Sequence, residues 1–317
     1  METKHISFII PCYRSDRMIG QVVADVDRTC EGLGETSYEI LLVNDASPDD
    51  NATRDAIWRL AAENAHVKGI SLARNFGQHA ALMAGLNAST GEIVICLDDD
   101  GQTPASEAPK LIAAIENGAD AAYARYLNKQ HSVARNFGTS LNEWMARVMI
   151  GKPKDLYVSS YFAVKRFVVD EMVRYTGAYP YVIGLVLRST SNIVNVDVEH
   201  RARQTGASGY TFRKLFALWL NGFTAFSIKP LRVASLSGCI LAAFGFLYGI
   251  WTIFKHFFTS LEQPLGWSAL MSVILFIGGM ILVMLGMVGE YIGRLYITNN
   301  NSPQYVIRET TRELPEQ

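Results

Sequence analysis

Asp98, Asp99 and Asp100 follow directly on the apolar run Ile93–Leu97. Alternate side chains of an extended backbone share a side, so Asp98 and Asp100 point the same way. Two carboxylates on one side repel each other unless something positive lies between them. A hard divalent ion held through oxygen meets that need, and such ions commonly carry phosphates as well. On these three residues alone, a solvated acidic turn capping a strand is an equal alternative.

Other groups fall where they could serve the same ligand. Pro11-Cys12-Tyr13 ends one apolar run and Asn44-Asp45-Ala46-Ser47 ends another. Together with the acidic run they place aromatic and acidic groups along one edge of a sheet. That edge could hold a nucleoside diphosphate. Tyr13 would line the base, Asp45 would accept from a base N–H, Asp98 would reach the ribose, and Asp100 would ligate a metal on the diphosphate. No Gly-x-Gly-x-x-Gly follows the first run and no Walker A lysine occurs, which disfavours dinucleotide and P-loop chemistry.

These residues converge only if the runs before them lie side by side. Ile6–Ile10, Glu39–Val43, Lys68–Leu72, Glu92–Leu97 and Ala121–Ala124 are short β-type runs. Helical patterns lie between them, at about Met18–Glu31, Thr53–Glu63, His79–Ala88 and Ser106–Asn117. Strands separated by single helices imply parallel crossovers in a layered α/β sheet, whose ligands bind beyond the carboxyl ends of the strands. Turn residues fit: Asn44 to Asp50 follows the second strand and Thr90-Gly91 precedes the fourth.

The 317 residues are 49% hydrophobic and 19% charged, with a mean hydropathy of +0.12. The apolar excess is local. Residues 1–208 read as a soluble domain, 209–230 as a juxtamembrane amphipathic helix, 231–293 as two membrane spans (about 233–254 and 267–290), and 294–317 as a C-terminal tail. Val233–Phe254 and Trp267–Gly289 are uncharged runs near the ~20 residues that cross a bilayer. Leu215, Leu218, Trp219 and Phe223 form the stripe of the interface helix, with Arg213 and Lys214 near its start. Lys229, Arg232, Arg294, Arg308 and Arg312 flank the pair, whereas the link holds only Lys255 and Glu262. The positive-inside rule then puts the N-domain and C-terminus in the cytoplasm. The start of the chain lacks a signal-peptide pattern, which agrees. Cys12, Cys30, Cys96 and Cys239 form no C-x-x-C pair, so neither zinc nor disulfides are expected. A net charge of −1 gives no case for nucleic acid.

Six segments in order resemble one family. They are Ile9-Ile10-Pro11-Cys12-Tyr13, Val43-Asn44-Asp45-Ala46-Ser47, Arg74-Asn75-Phe76-Gly77-Gln78-His79-Ala80-Ala81-Leu82, Leu97 to Gln102, Arg203 to Tyr210, and Gly289-Glu290-Tyr291-Ile292-Gly293-Arg294. The sequence is similar to the family-two polyprenyl-phosphate glycosyltransferases of GT-A fold. That group includes bacterial undecaprenyl-phosphate glucosyl and formamido-arabinose transferases and dolichyl-phosphate mannose synthase. The resemblance implies a GT-A mixed sheet with interface helices and a C-terminal two-helix transmembrane hairpin. It implies inverting transfer of a sugar from a nucleotide sugar, expected to be a UDP-sugar, to polyprenyl phosphate for cell-envelope glycan or lipopolysaccharide modification. Mg2+ or Mn2+ is expected on Asp100 and Asp98. Pro11, Tyr13, Asp45, Arg74, Asp98 and Gln102 are expected to bind the donor, and Asp100, Asp155, Arg203 and Ser159 to serve catalysis.

The acceptor is a phosphate monoester, already anionic, so it needs positioning and cations more than a strong base. Arg125, Arg135, Arg201, Arg203, Ser208 and Lys229 are the groups expected to hold it. The implied setting is the bacterial inner membrane, with the lipid bilayer as a partner, a homo-oligomer (dimer or tetramer), and no nucleic acid. Three departures from the family pattern matter. Asp155 stands one place early and no glycine follows it, leaving Ser159 or Ser160 to contact sugar or phosphate. Asn44 replaces an aspartate, and Asp99 replaces the usual alanine.

Three other readings compete. A catalytically silent carrier-binding or assembly subunit would bind no nucleotide with metal. A processive polysaccharide synthase would carry Gln-x-x-Arg-Trp, and no Arg-Trp pair occurs. A membrane-anchored nucleotidyltransferase would release pyrophosphate.

Overall fold

The computed structural model describes residues 5–34, 37–126, 153–199, 266–300 and 302–313, with separate positions between 236 and 251. Alternation in the first strand sets the layers. In β1 (His5–Cys12) the even residues Ile6, Phe8, Ile10 and Cys12 face one side and Ile9 the other, all buried. The even face packs on α1 (Ile19–Gly32), whose Ile19, Val22, Val23, Val26 and Cys30 repeat at helical spacing.

The chain then continues through β2 (Ser37–Asn44), α2 (Ala52–Glu63), β3 (Val67–Leu72), α3 (Gln78–Ala88) and β4 (Ile93–Cys96). A 3-10 turn at Ala105–Glu107 leads into α4 (Ala108–Glu116), followed by β5 (Ala121–Tyr126). The expected strands and helices of this half all form, with ends shifted by a few residues. Helix α3 is buried nearly all round, from Ala80 to Leu86. It lies against the odd face of β1 because Gly85 carries no Cβ: one placed there would strike the Ile9 side chain. That approach forces glycine on sterics alone.

Beyond β5 come β6 (Phe162–Lys165), α5 (Arg166–Val173), α6 (Val182–Ser189) and β7 (Ile193–Val198). After them come the long helix α7 (Trp267–Asn299) and β8 (Ile307–Thr310). One sheet of eight strands results, in the order β7-β5-β6-β4-β1-β2-β3-β8. Strands β1, β2, β3 and β4 pair in parallel, as do β5 and β7. Strand β6 runs antiparallel to both β4 and β5, and β8 antiparallel to β3. The carboxyl ends of β1 to β5 and of β7 therefore share one edge of the sheet, and β6 and β8 begin at that edge.

The chain divides into two compact units: residues 1–210 with 301–317, and residues 211–300. In the second unit α7 holds the apolar window Phe276–Gly293, with no part of it buried. The described positions between 236 and 251 are helical. A Cβ on Gly238 would meet Met284 at 2.7 Å, so the two helical stretches touch there. Glycine at such a contact lets apolar helices approach closely.

Candidate active site

The carboxyl edge gathers the acidic run after β4, the loop after β1, the loop after β2, the loop before α3 and the residues entering β6. Asp98 receives a hydrogen bond on each oxygen, from Gln78 Nε2 at 3.0 Å and from the Ser160 hydroxyl. Burial pushes its carboxyl up to about 6. Repulsion from Asp100 and Asp99 adds to the rise, and the bonds from Ser160 and Gln78 oppose it. Asp100 caps its own turn: Oδ1 accepts the Gln102 N–H at 3.1 Å, across Gly101 at φ +70°. Asp99 turns to the loop after β1, where Oδ2 accepts the Tyr13 N–H at 3.0 Å and the Ser15 hydroxyl. Burial lifts Asp99 as well, against these bonds.

Asp98 and Asp99, both held up by burial and by the charge of Asp100 beside them, make an edge that a cation would relax. Among the described residues no set of three or more His, Cys, Asp or Glu side chains converges as a metal cage. A divalent ion on Asp98 and Asp100 would meet two carboxylates here, and phosphate and water commonly fill further positions around Mg2+. The all-oxygen donor set fits Mg2+ or Mn2+.

Asp45, at the end of β2, is buried, and its two oxygens accept the N–H groups of Phe76 at 2.7 Å and Gly77 at 2.8 Å. Burial raises its pKa, and the two amides restrain the rise. Asp45 thus fixes the loop entering α3, where Gly77 takes φ +94° and Arg74 lies 4.6 Å over the Phe76 ring. Further into the helix, burial drives the His79 imidazole down to about 4, so it is neutral near pH 7, with the Tyr181 ring edge-on at 5.1 Å. Pro11 is the last residue but one of β1, and Tyr13, just past its end, is 46% exposed.

The remaining expected residues are scattered. Ser159 is buried with its hydroxyl between the carbonyls of Ala124 (2.9 Å) and Tyr161 (2.8 Å). Its neighbour Ser160 is the one on Asp98. Asp155 is exposed on a turn, followed by buried Leu156. Arg125 spends its guanidinium on Asp197, at 2.6 and 3.0 Å, across the β5–β7 pair. Arg135, Arg201, Arg203, Ser208 and Lys229 lie outside the described residues, as does the interface helix expected at 209–230. Two hollows, of about 400 and 520 Å³, open at the opposite edge of the sheet beside Glu92 and Lys165 and beside Gly118 and Asn192. None of the acidic residues of the carboxyl edge lines them.

Gln78, Ser15 and the structural task of Asp99 are what sequence reasoning missed. Gln78 lay inside a recognised segment without a role. Ser15 carried no signal except its place two residues after Tyr13.

Comparison with known proteins agrees with this geometry. The family model described as glycosyl transferase family 2 matches residues 7–172, and the one described as GtrB C-terminal hairpin matches residues 229–295. An undecaprenyl-phosphate 4-deoxy-4-formamido-L-arabinose transferase of Klebsiella pneumoniae subsp. pneumoniae is 32% identical over 311 residues, covering 98% of this chain and 94% of the relative. The protein of the same description from Proteus mirabilis is 32% identical over 305 residues, covering 96% and 93%. Among solved structures, glucosyl-3-phosphoglycerate synthase from Mycobacterium tuberculosis with Mn2+ and UDP-glucose superposes with a TM-score of 0.50 at 17% identity. That match covers 68% of this chain and 75% of the other. It shows the fold.

Proposed function

This chain belongs to glycosyl transferase family 2, and from that premise we propose that it moves a sugar from a nucleotide sugar to undecaprenyl or another polyprenyl phosphate, with inversion, at a membrane surface. The observation that carries the reading is the match to undecaprenyl-phosphate sugar transferases over 98% of the chain, apolar hairpin included. The acidic carboxyl edge supplies the chemistry. In this reading Asp98 and Asp100 hold Mg2+ or Mn2+, and Tyr13, Asp45, Arg74 and Gln102 frame the nucleotide. Such an ion, when bound, neutralises charge that develops on the departing diphosphate. Solved relatives of this fold are described with Mn2+ and UDP-glucose, which supports a UDP-sugar as donor.

The acceptor phosphate oxygen attacks the anomeric carbon from the face opposite the diphosphate, and the bond to the diphosphate breaks. Inversion follows from that single displacement. Because the acceptor is already anionic, the protein's task is to align it and offset its charge. Arg203, with Arg135, Arg201, Ser208 and Lys229, is assigned that task. The paired Arg125 would first have to release Asp197, and the exposed Asp155 is not needed as a base. On this reading the protein works at the bacterial inner membrane with both termini in the cytoplasm, which the match of residues 229–295 to a C-terminal hairpin supports. Strand β7 ends and β8 begins at the carboxyl edge.

The test is a panel of nucleotide sugars offered to purified protein with undecaprenyl phosphate and Mg2+ or Mn2+, scored by mass spectrometry of the lipid. One lipid-linked monosaccharide is expected from one donor. A polymeric glycan, released pyrophosphate, or no lipid product from any donor overturns the reading.

A further inference from the structure

Building on that donor-site reading, we propose that Asp99 is a positioning residue for the nucleotide, which latches the loop after β1 so that Tyr13 is presented to the donor. One oxygen does the work. Asp99 Oδ2 accepts both the Tyr13 N–H, at 3.0 Å, and the Ser15 hydroxyl. The Tyr13 N–H is shared with Ser15 Oγ at 2.8 Å, closing a triangle. The Ser15 N–H continues the chain to the buried Thr53 Oγ1 at 2.9 Å, and Thr53 bonds Asp49. A single path of hydrogen bonds thus ties the end of β4, the loop after β1 and the start of α2.

The loop needs such a tie. Arg14, between the two latched residues, has φ +59°, a left-handed conformation that is unfavourable for a non-glycine residue. It persists where surrounding bonds over-determine it. The Arg14 N–H is held by Ser47 Oγ at 3.1 Å, and the Asp99 triangle fixes both neighbours. The shape leaves the Tyr13 ring open to solvent, with the Arg14 guanidinium 5.8 Å from its centroid. Asp98 and Asp100 are committed elsewhere, to Gln78 and Ser160 and to the Gln102 turn. Asp99 alone of the three reaches across to the loop after β1.

A latch needs an acceptor oxygen, whereas a metal ligand needs the charge. Asp99→Asn keeps an acceptor oxygen and removes the charge; Asp99→Ala removes both. The full-length protein and its Asp99→Ala, Asp99→Asn and Ser15→Ala variants are compared in detergent. UDP binding with Mn2+ is read by calorimetry, donor KM and kcat by turnover, and amide exchange over residues 12–16 by mass spectrometry. Asp99→Ala is expected to raise donor KM and the UDP Kd roughly tenfold, keep kcat within about twofold, and speed exchange at 13–15. Asp99→Asn should stay within about twofold of the parent in all three, and Ser15→Ala should move like Asp99→Ala by about threefold. The proposal is overturned if Asp99→Ala binds and exchanges like the parent, or if Asp99→Asn raises donor KM and the UDP Kd as far as Asp99→Ala does. Should Asp99→Ala fail to fold, Ser15→Ala decides by the same readouts. If the parent neither binds UDP nor transfers sugar, the donor-site reading falls, while exchange in the two Asp99 variants still decides the latch.

Discussion

Two adjacent backbone N–H groups, those of Phe76 and Gly77, end on the two oxygens of Asp45. Hydrogen bonds to a charged acceptor are worth more than neutral ones, and losing the acceptor leaves both donors stranded at a half-buried loop. Asp45→Ala should therefore cost about 2 kcal/mol in thermal unfolding and raise the donor KM, because the loop that carries Arg74 and Gln78 loses its anchor. Asp45→Asn, with one acceptor, should fall between. At the far edge of the sheet, burial alone would raise the Glu39 carboxyl, but bonds from Lys68, Ser7 and Thr90 bring it down to about 2. A carboxyl lowered by folding stabilises the native state above its unfolded pKa, near 4.5, and that contribution fades as pH falls toward 2. The stake is about 3 kcal/mol, and Glu39→Gln should flatten the loss of Tm between about pH 5 and pH 3 relative to the parent. At this scale the sequence located carboxylates but not their partners. Asp98 to Asp100 and Asp45 were marked by runs that end in acid. Ser160 reaches Asp98 only because β6 enters antiparallel at the carboxyl edge, a pairing of residues 62 positions apart.

Strand β8 closes an edge that would otherwise be bare. Ala73 N–H bonds Val306 O at 2.8 Å and Thr311 N–H bonds Gly69 O at 3.0 Å. Arg54 grips Glu309 through two 2.9 Å bonds while lying 4.6 Å over Trp58. An unpaired edge invites pairing with another chain. Ending the chain at Asn301 should thus lower Tm by several degrees and bring on concentration-dependent aggregation, seen by light scattering. Arg54→Ala, which cuts a solvent-screened pair, should cost about 1 kcal/mol or less. Gly85→Ala should cost about 1 to 3 kcal/mol by overpacking Ile9, and it shifts the helix whose first turn carries Gln78. The apolar runs of β1 to β5 and the helices between them were readable because turn residues bound them, as Asn44 to Asp50 and Thr90-Gly91 do. Strand β8, Ile-Arg-Glu-Thr, has neither apolar length nor alternation; only its pairing with β3 makes it a strand. Strand β6, Phe162–Lys165, runs straight into helix α5 at Arg166 with no turn residue between them to mark its end.

One chain must satisfy a parity rule. It leaves the sheet after β7, runs through the apolar stretch, and returns to the same sheet as β8, paired to β3. A folded sheet lies on one side of a membrane, so the stretch between β7 and β8 crosses an even number of times. Helix α7 carries an apolar window long enough for one crossing, Phe276–Gly293. If it spans, a second crossing is required, and the uncharged run 233–254, helical at its described positions, is the segment long enough to supply it. If α7 spans, backbone pairing calls for a hairpin independently of the charge pattern that the positive-inside rule reads. The expected outcome is that a cysteine placed at Ser260, with Cys239 changed to Ser, reacts with a membrane-impermeant maleimide from the face opposite to tags at either terminus. Labelling of Ser260→Cys from the same face as the tags would mean that the stretch dips into the bilayer and turns back. The sheet would then have been closed by a re-entrant loop, and the two runs would no longer count as spans.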